Sequence, residues 1–110
     1  MTLRQAQGER ISHTGKLWRW AGATGTGVGF FITIDGAAGE ALSATALMRR
    51  LEGMSRGCGS LKVRATIGES VFATSVFPSN EMGWMLPVKA AVRKAERLGE
   101  GDLVEVVLEV

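Results

Sequence analysis

Residues 60–110, SLKVRATIGESVFATSVFPSNEMGWMLPVKAAVRKAERLGEGDLVEVVLEV, decide the fold. Leu61, Val63, Ala65 and Ile67 alternate with Lys62, Arg64 and Thr66, the period-two pattern of a strand with one buried face. Gly68-Glu69 supplies a turn, and Val71 to Phe77 returns as the partner strand of a hairpin. Pro78-Ser79-Asn80 is turn chemistry, and Gly83 to Leu86 reads as a short strand. Pro87 is expected to open a helix running through Leu98, because its fixed φ costs nothing at a first helical position. Val88, Val92 or Ala91, Ala95 and Leu98 would form the apolar face of that helix, with Gly99 as a left-handed stop. Val104, Val106, Leu108 and Val110 then alternate with Glu105 and Glu109 in a last strand. Asp102, which follows Gly101 in the turn before it, is expected to accept backbone N–H bonds and so to be structural.

Upstream, Ile11 to Trp20 reads as a strand with Leu17 on one face and Trp18 and Trp20 on the other. A glycine-rich connection leads to Val28–Ile34, where Val28, Phe30, Ile32 and Ile34 share a face, so the two strands form a second hairpin. Residues 39–53 read as a helix whose apolar positions are Leu47, Leu51 and Met54. The order β-β-α-β-β-β-α-β in a chain of 110 residues provides too little helix to cover an open sheet. The expected fold is therefore mainly β (α+β): a small closed or split β-barrel of about six strands with two short helices. Fifteen glycines, about twice the usual share, suit tight turns and close backbone approach. Residues 1–12 are expected to be poorly ordered and 13–110 to form the single domain.

The formal charge is +2, so the pI of 9.1 reflects a small surplus of Lys and Arg and not a strongly basic surface. One cysteine, Cys58, excludes an intramolecular disulfide and fits a reducing compartment. Residues 1–16 lack the apolar core of a secretory signal, and no apolar run approaches the ~20 residues that span a bilayer, so a cytoplasmic location with no membrane contact is expected.

Groups suited to catalysis are scarce. Gly25-Thr26-Gly27-Val28-Gly29 has the glycine spacing of a dinucleotide loop, but it leads into a strand where phosphate binding needs a helix N-terminus. His13 and Cys58 show no spacing that would join them as base and nucleophile, and a zinc site needs about four ligands where the chain offers these two. Asp35 and Asp102 are the two aspartates, and their spacing supports no acid–base pair. The most suggestive feature is basic: Lys89, Arg93 and Arg97 recur at i, i+4 and i+8 with Lys94 beside them, diluted by Glu96. With Trp84 and Arg64 alongside, these residues form the candidate site for an anionic ligand or protein partner. The same cations, in bland form, are a solvated helix face. The three tryptophans are read as core or barrel-end residues. No catalytic residue, metal site or cofactor is expected. The function expected is a non-enzymatic binding or interaction module. The alternatives are a DNA-binding regulator and, less favoured, an enzyme with a small-ligand pocket lined by Ser75, Arg64 and Arg93.

The segments Gly59-Ser-Leu-Lys-Val-Arg-Ala-Thr-Ile-Gly68, Ala73-Thr-Ser-Val-Phe-Pro78, Leu86-Pro-Val-Lys-Ala-Ala-Val-Arg-Lys94, Gly101-Asp102 and Leu17-Trp-Arg-Trp20 together resemble a bacterial family catalogued as domain of unknown function nineteen-zero-five. The resemblance spans about residues 13–110. It implies a closed barrel of about six strands that occurs alone or fused to a domain linked with bacteriocin protection, and it implies no activity. Two positions depart from the family pattern: His13 stands where an aromatic is usual, and Asp35 where a proline commonly ends the second strand. Residues 85–110 also look like swapped-hairpin DNA-binding regulators of the antitoxin type, a structural analogy that transfers no function.

Overall fold

The computed structural model describes residues 9–22, 28–53, 59–79 and 83–110. The elements are β1 (Arg10–Ala21), β2 (Val28–Ile34), α1 (Gly36–Leu51), β3 (Leu61–Ile67), β4 (Ser70–Ser79), β5 (Gly83–Pro87), α2 (Ala90–Ala95) and β6 (Leu103–Glu109). The strands close in the order β1-β2-β5-β4-β3-β6, every neighbouring pair antiparallel, with β6 returning to β1. The chain is thus the mainly-β closed barrel that the alternation implies. The glycine loop at 23–27, Met54, Cys58 and Asn80 lie outside the described residues.

Closure depends on β1, which serves two neighbours in turn. Its residues Arg10 to Lys16 pair with β6 and Leu17 to Ala21 pair with β2. β1 thus begins at Arg10, ahead of the expected boundary at 13, because Ile11 is buried opposite Leu108. The handover occurs at Leu17, which is fully enclosed. Its N–H donates to the Asp102 carbonyl at 2.9 Å, and its own carbonyl accepts from Gly101 N–H at 2.7 Å. Two residues earlier, a Cβ on Gly15 would lie 3.0 Å from Ile32 Cγ2 and 3.1 Å from the Thr33 carbonyl, so a side chain there would push β1 off β2.

The inward-facing residues of the strands fill the interior as their alternation predicts: Leu61, Val63, Ala65 and Ile67 from β3, Val104, Val106 and Leu108 from β6, Ile32 and Ile34 from β2. Of the three tryptophans, Trp84 alone joins this core. Trp18 is half-buried on the outer face against Phe31, with ring centroids 5.3 Å apart, and Trp20 is exposed.

Helix α1 closes one end of the barrel with a different face from the one its large residues suggest. Ala38, Leu42 and Ala46 are buried, whereas Leu47 and Leu51 are exposed. Leu42 sits between Ala38 and Ala46 on that buried face, and the helix starts tight against β2: a Cβ on Gly39 would sit 2.8 Å from the Ile34 carbonyl. At this end Trp84 Nε1–H donates to Ser43 Oγ at 3.0 Å. Here too the two departures from the family pattern meet: His13 Nε2 lies 2.9 Å from the Thr33 carbonyl and 3.6 Å from Asp35 Oδ1.

The second helix is shorter than expected. Pro87 is the last residue of β5, and α2 runs only over Ala90–Ala95. It ends in a Schellman motif, with Leu98 N–H donating to the Arg93 carbonyl (2.8 Å) and Arg97 N–H to the Lys94 carbonyl (3.3 Å). The left-handed residue in that motif is Arg97, at φ 58°, and not Gly99 as its glycine suggested. In the turn that follows, Asp102 Oδ2 accepts from Gly99 N–H at 2.8 Å, the backbone-capping role expected of it. Replacing Arg97 by Gly is expected to stabilise the domain by about 0.5–1 kcal/mol, since a left-handed Cβ carries a penalty that glycine lacks. Asp102→Ala should cost about 1 kcal/mol and Asp102→Asn little, because an amide oxygen still accepts the bond. Urea denaturation midpoints check both, and an unchanged midpoint for R97G or D102A contradicts this account of the turn.

Candidate functional site

The β4–β5 ladder opens into a seam where Pro87 ends it. Val88 N–H donates to the Phe30 carbonyl at 2.8 Å, so the even-numbered amides of this segment face β2 and the odd-numbered ones face β4. The β4–β5 ladder runs through Ser79↔Gly83, Pro78↔Trp84 and Phe77↔Met85 and then stops. The next hydrogen-bonded position would place residue 87 opposite Ser75, and proline has no N–H to donate there. Beyond it the chain turns into α2, and the first half of β4 separates from the end of β5.

A cleft of about 210 Å³ occupies this seam, lined by Val28, Gly29, Phe30 and Phe31 of β2, Phe72, Ala73 and Thr74 of β4, and Pro87, Val88, Lys89 and Arg93. Its walls are largely apolar, and two cations stand at its α2 side. Arg93 is held by the segment it faces. Its Nε–H donates to the Val88 carbonyl at 3.1 Å, and its guanidinium carbon lies 3.8 Å from the centroid of the Phe30 ring. Val88 is itself bonded to Phe30, so backbone, guanidinium and ring fix one another in a closed circuit. The Lys89 ammonium lies 5.8 Å from the Phe72 ring centroid, near the outer limit of a cation–π contact. Among the described residues neither cation has an ion-pair partner.

Of the residues singled out in the sequence, the cleft therefore brings together Lys89 and Arg93. Lys94 and Arg97 are exposed and do not line it; Lys94 follows Arg93 on another side of α2, and the helix ends before the stripe reaches 97. Arg64 is exposed on the outer face of β3, beside Ala73 of β4 and Glu109 of β6. Trp84 is buried near the α1 end, ~13 Å along the strand from Val88 by the rise of four residues. Ser75 and Arg64, named for an enzyme pocket, do not line the cleft. The floor residues Val28, Phe30, Phe72 and Thr74 were legible in the sequence only as strand positions. The signal for them is a mismatch of length, since a strand of 5 residues beside one of 10 must leave part of the longer one uncovered.

Glu96 does not dilute the cationic face as its sequence position suggested. Its Oε2 accepts from Ser70 Oγ at 2.6 Å and from Glu69 N–H at 3.3 Å, tying α2 to the β3–β4 turn. A Cβ on Gly68 would collide with this carboxylate. Glu96 thereby holds Arg93 and Lys89 over the seam.

The model of the family called domain of unknown function (DUF1905) matches residues 13–108. The chain belongs to this family. No curated protein matches it. The seam cleft is thus a feature of a DUF1905 domain. Among the described residues of this DUF1905 domain, no group of three or more His, Cys, Asp or Glu is arranged to hold a metal ion, and no helix is long and apolar enough to cross a membrane.

Glu96→Ala is expected to lower stability by about 1–2 kcal/mol, two charge-assisted bonds being lost from a partly exposed site. It should also accelerate hydrogen exchange at the Glu69 amide, while Glu96→Gln keeps most of both. An unchanged exchange rate at Glu69 in E96A contradicts the tie.

Proposed function

We propose that this domain is a non-enzymatic binding module whose site is the seam cleft and whose ligand is a small anion with an apolar body. The observation that carries this reading is the pairing of each cation with an aromatic ring at one cleft, Arg93 on Phe30 and Lys89 by Phe72. Two unneutralised cations beside apolar walls complement a molecule with a carboxylate at one end and hydrocarbon at the other. Arg93 arrives already oriented, so little rotamer freedom remains to be lost when an anion binds.

The chemistry of the lining supports binding over turnover. Thr74, Lys89 and Arg93 are the polar side chains among the lining residues, and no carboxylate, imidazole or thiol accompanies them. Thr74 and Lys89 are of types that serve as nucleophile or base when a neighbouring group activates them, and among the described lining residues no acidic or basic partner of that kind stands beside them. A DNA-binding regulator is supported less. Phosphate contacts draw on cations spread along one face, whereas here the net charge is +2 and Arg93 is turned onto an aromatic ring.

Benzoate should shift the amide resonances of residues 28–31, 72–74 and 88–89, and benzamide, its neutral isostere, should not. Arg93→Gln or Lys89→Gln should weaken benzoate binding about tenfold or more, the equivalent of one lost charge-assisted contact. Thermal unfolding of the free K89Q variant should match the parent within ~1 kcal/mol, as for other surface changes. Equal shifts with benzamide, or full affinity in both variants, would falsify the reading. Duplex DNA at low salt is the control, and binding that falls steeply with salt would favour the regulator instead.

A further inference from the structure

We propose that the natural occupant of the cleft is the extended C-terminal end of another polypeptide, which adds as a strand to the open edge of β4 and places its terminal carboxylate between Lys89 and Arg93. This rests on the anion-binding reading of the cleft and goes beyond it by naming the class of ligand.

The argument starts from the β3–β4 register. Ile67 and Ser70 flank the two-residue turn and form a hydrogen-bonded pair, so hydrogen-bonded pairs recur at Ala65↔Phe72, Val63↔Thr74 and Leu61↔Val76. Val71, Ala73 and Ser75 then aim their N–H and C=O groups away from β3, into the seam that Pro87 opens. Among the described residues no strand covers them there, since the β4–β5 ladder starts only at Phe77. Among the described residues, none of the backbone bonds outside the ladders involves Val71, Ala73 or Ser75. From Val71 to Ser75 this edge spans ~13 Å, longer than a one-ring acid and suited to four or five residues of extended chain. An uncovered strand edge is a template for pairing, which proteins either block or use.

The remaining features fit the same occupant. Val71 and Val28, 58% and 52% exposed, offer apolar contact at the edge and rim. The cleft, about 210 Å³ and open on one side, has room for an apolar side chain while the rest of a chain lies along the edge. A free C-terminus ending in an apolar residue presents a carboxylate, a side chain and a donor–acceptor backbone together, matching cations, pocket and edge in one molecule.

The test uses the whole chain and four probes followed by nuclear magnetic resonance: the pentapeptide acetyl-Thr-Val-Thr-Val-Leu as the free acid, its C-terminal amide, a form with the edge-pairing amides N-methylated, and benzoate. The free acid should bind about tenfold or more tightly than the amide or the N-methylated peptide. It should also slow exchange at the Ala73 amide tenfold or more. Benzoate binding in the cleft without peptide protection of Ala73 overturns the peptide proposal and leaves the anion reading standing. If neither benzoate nor peptide perturbs residues 28–31 and 72–74, both fall. Equal affinity for acid and amide, even with protection of Ala73, overturns the role given to Lys89 and Arg93.

Discussion

Closure of the six-stranded barrel depends on strands that hand over from one neighbour to the next along their length, β4 from β3 to β5 after Val76 and β1 most extensively. Its twelve residues hand over from β6 to β2 at Leu17. Hydrogen bonds to Gly101 and Asp102 hold the handover from one side, and Gly15 admits the β2 backbone from the other. β2 fixes β5 through Ile34↔Trp84 to Phe31↔Pro87, and β6 fixes β3 through Arg64↔Glu109 to Thr66↔Val107. Two ladders stay short, β3–β6 and β4–β5, each with three paired positions, and the cleft lies beyond the end of the second.

Opening the seam is made tolerable by the residues around it. An apolar gap in a small domain would normally collapse or fill, because empty space forfeits dispersion contacts. Here Arg93 lays its guanidinium on Phe30 and Lys89 reaches over Phe72, so the stems and heads of two long side chains cover part of the aromatic floor. The two residues do this because α2 is fastened at both ends, by Val88 to β2 and by Glu96 to the β3–β4 turn. Cover and charge are supplied by the same side chains. A ligand that satisfies the cations gains the aromatic contact without having to organise it.

The candidate site was half visible before the fold was known. Lys89 and Arg93 could be named because a basic pair at i, i+4 needs no tertiary information. Their partners could not, because Phe30 and Phe72 lie 42 residues apart in the chain, and each alternates in its own strand as an ordinary core residue. Arg97 and Trp84 were grouped with the site by proximity in sequence. The first is separated by the early end of α2, the second by the length of β5. Pro87 carried two meanings at once. A proline can start a helix or end a ladder, and only the direction its nitrogen faces distinguishes the two.

Strand identity, strand order along the chain, inward faces and the mainly-β class were determined by the sequence itself, because period-two alternation and turn residues are local properties. The capping role of Asp102 was equally local, acting over three residues. Tertiary structure alone decided which face α1 buries, since Leu42 and Leu47 are equally apolar and only the direction in which the helix leaves β2 puts Ala38, Leu42 and Ala46 against the core. It also decided that Arg97 and not Gly99 takes the left-handed turn, because Val92 and Glu96 fix where α2 must stop. The seam is tertiary in the same sense. It arises from the register of two strands set by four others, and no stretch of sequence taken alone contains that register.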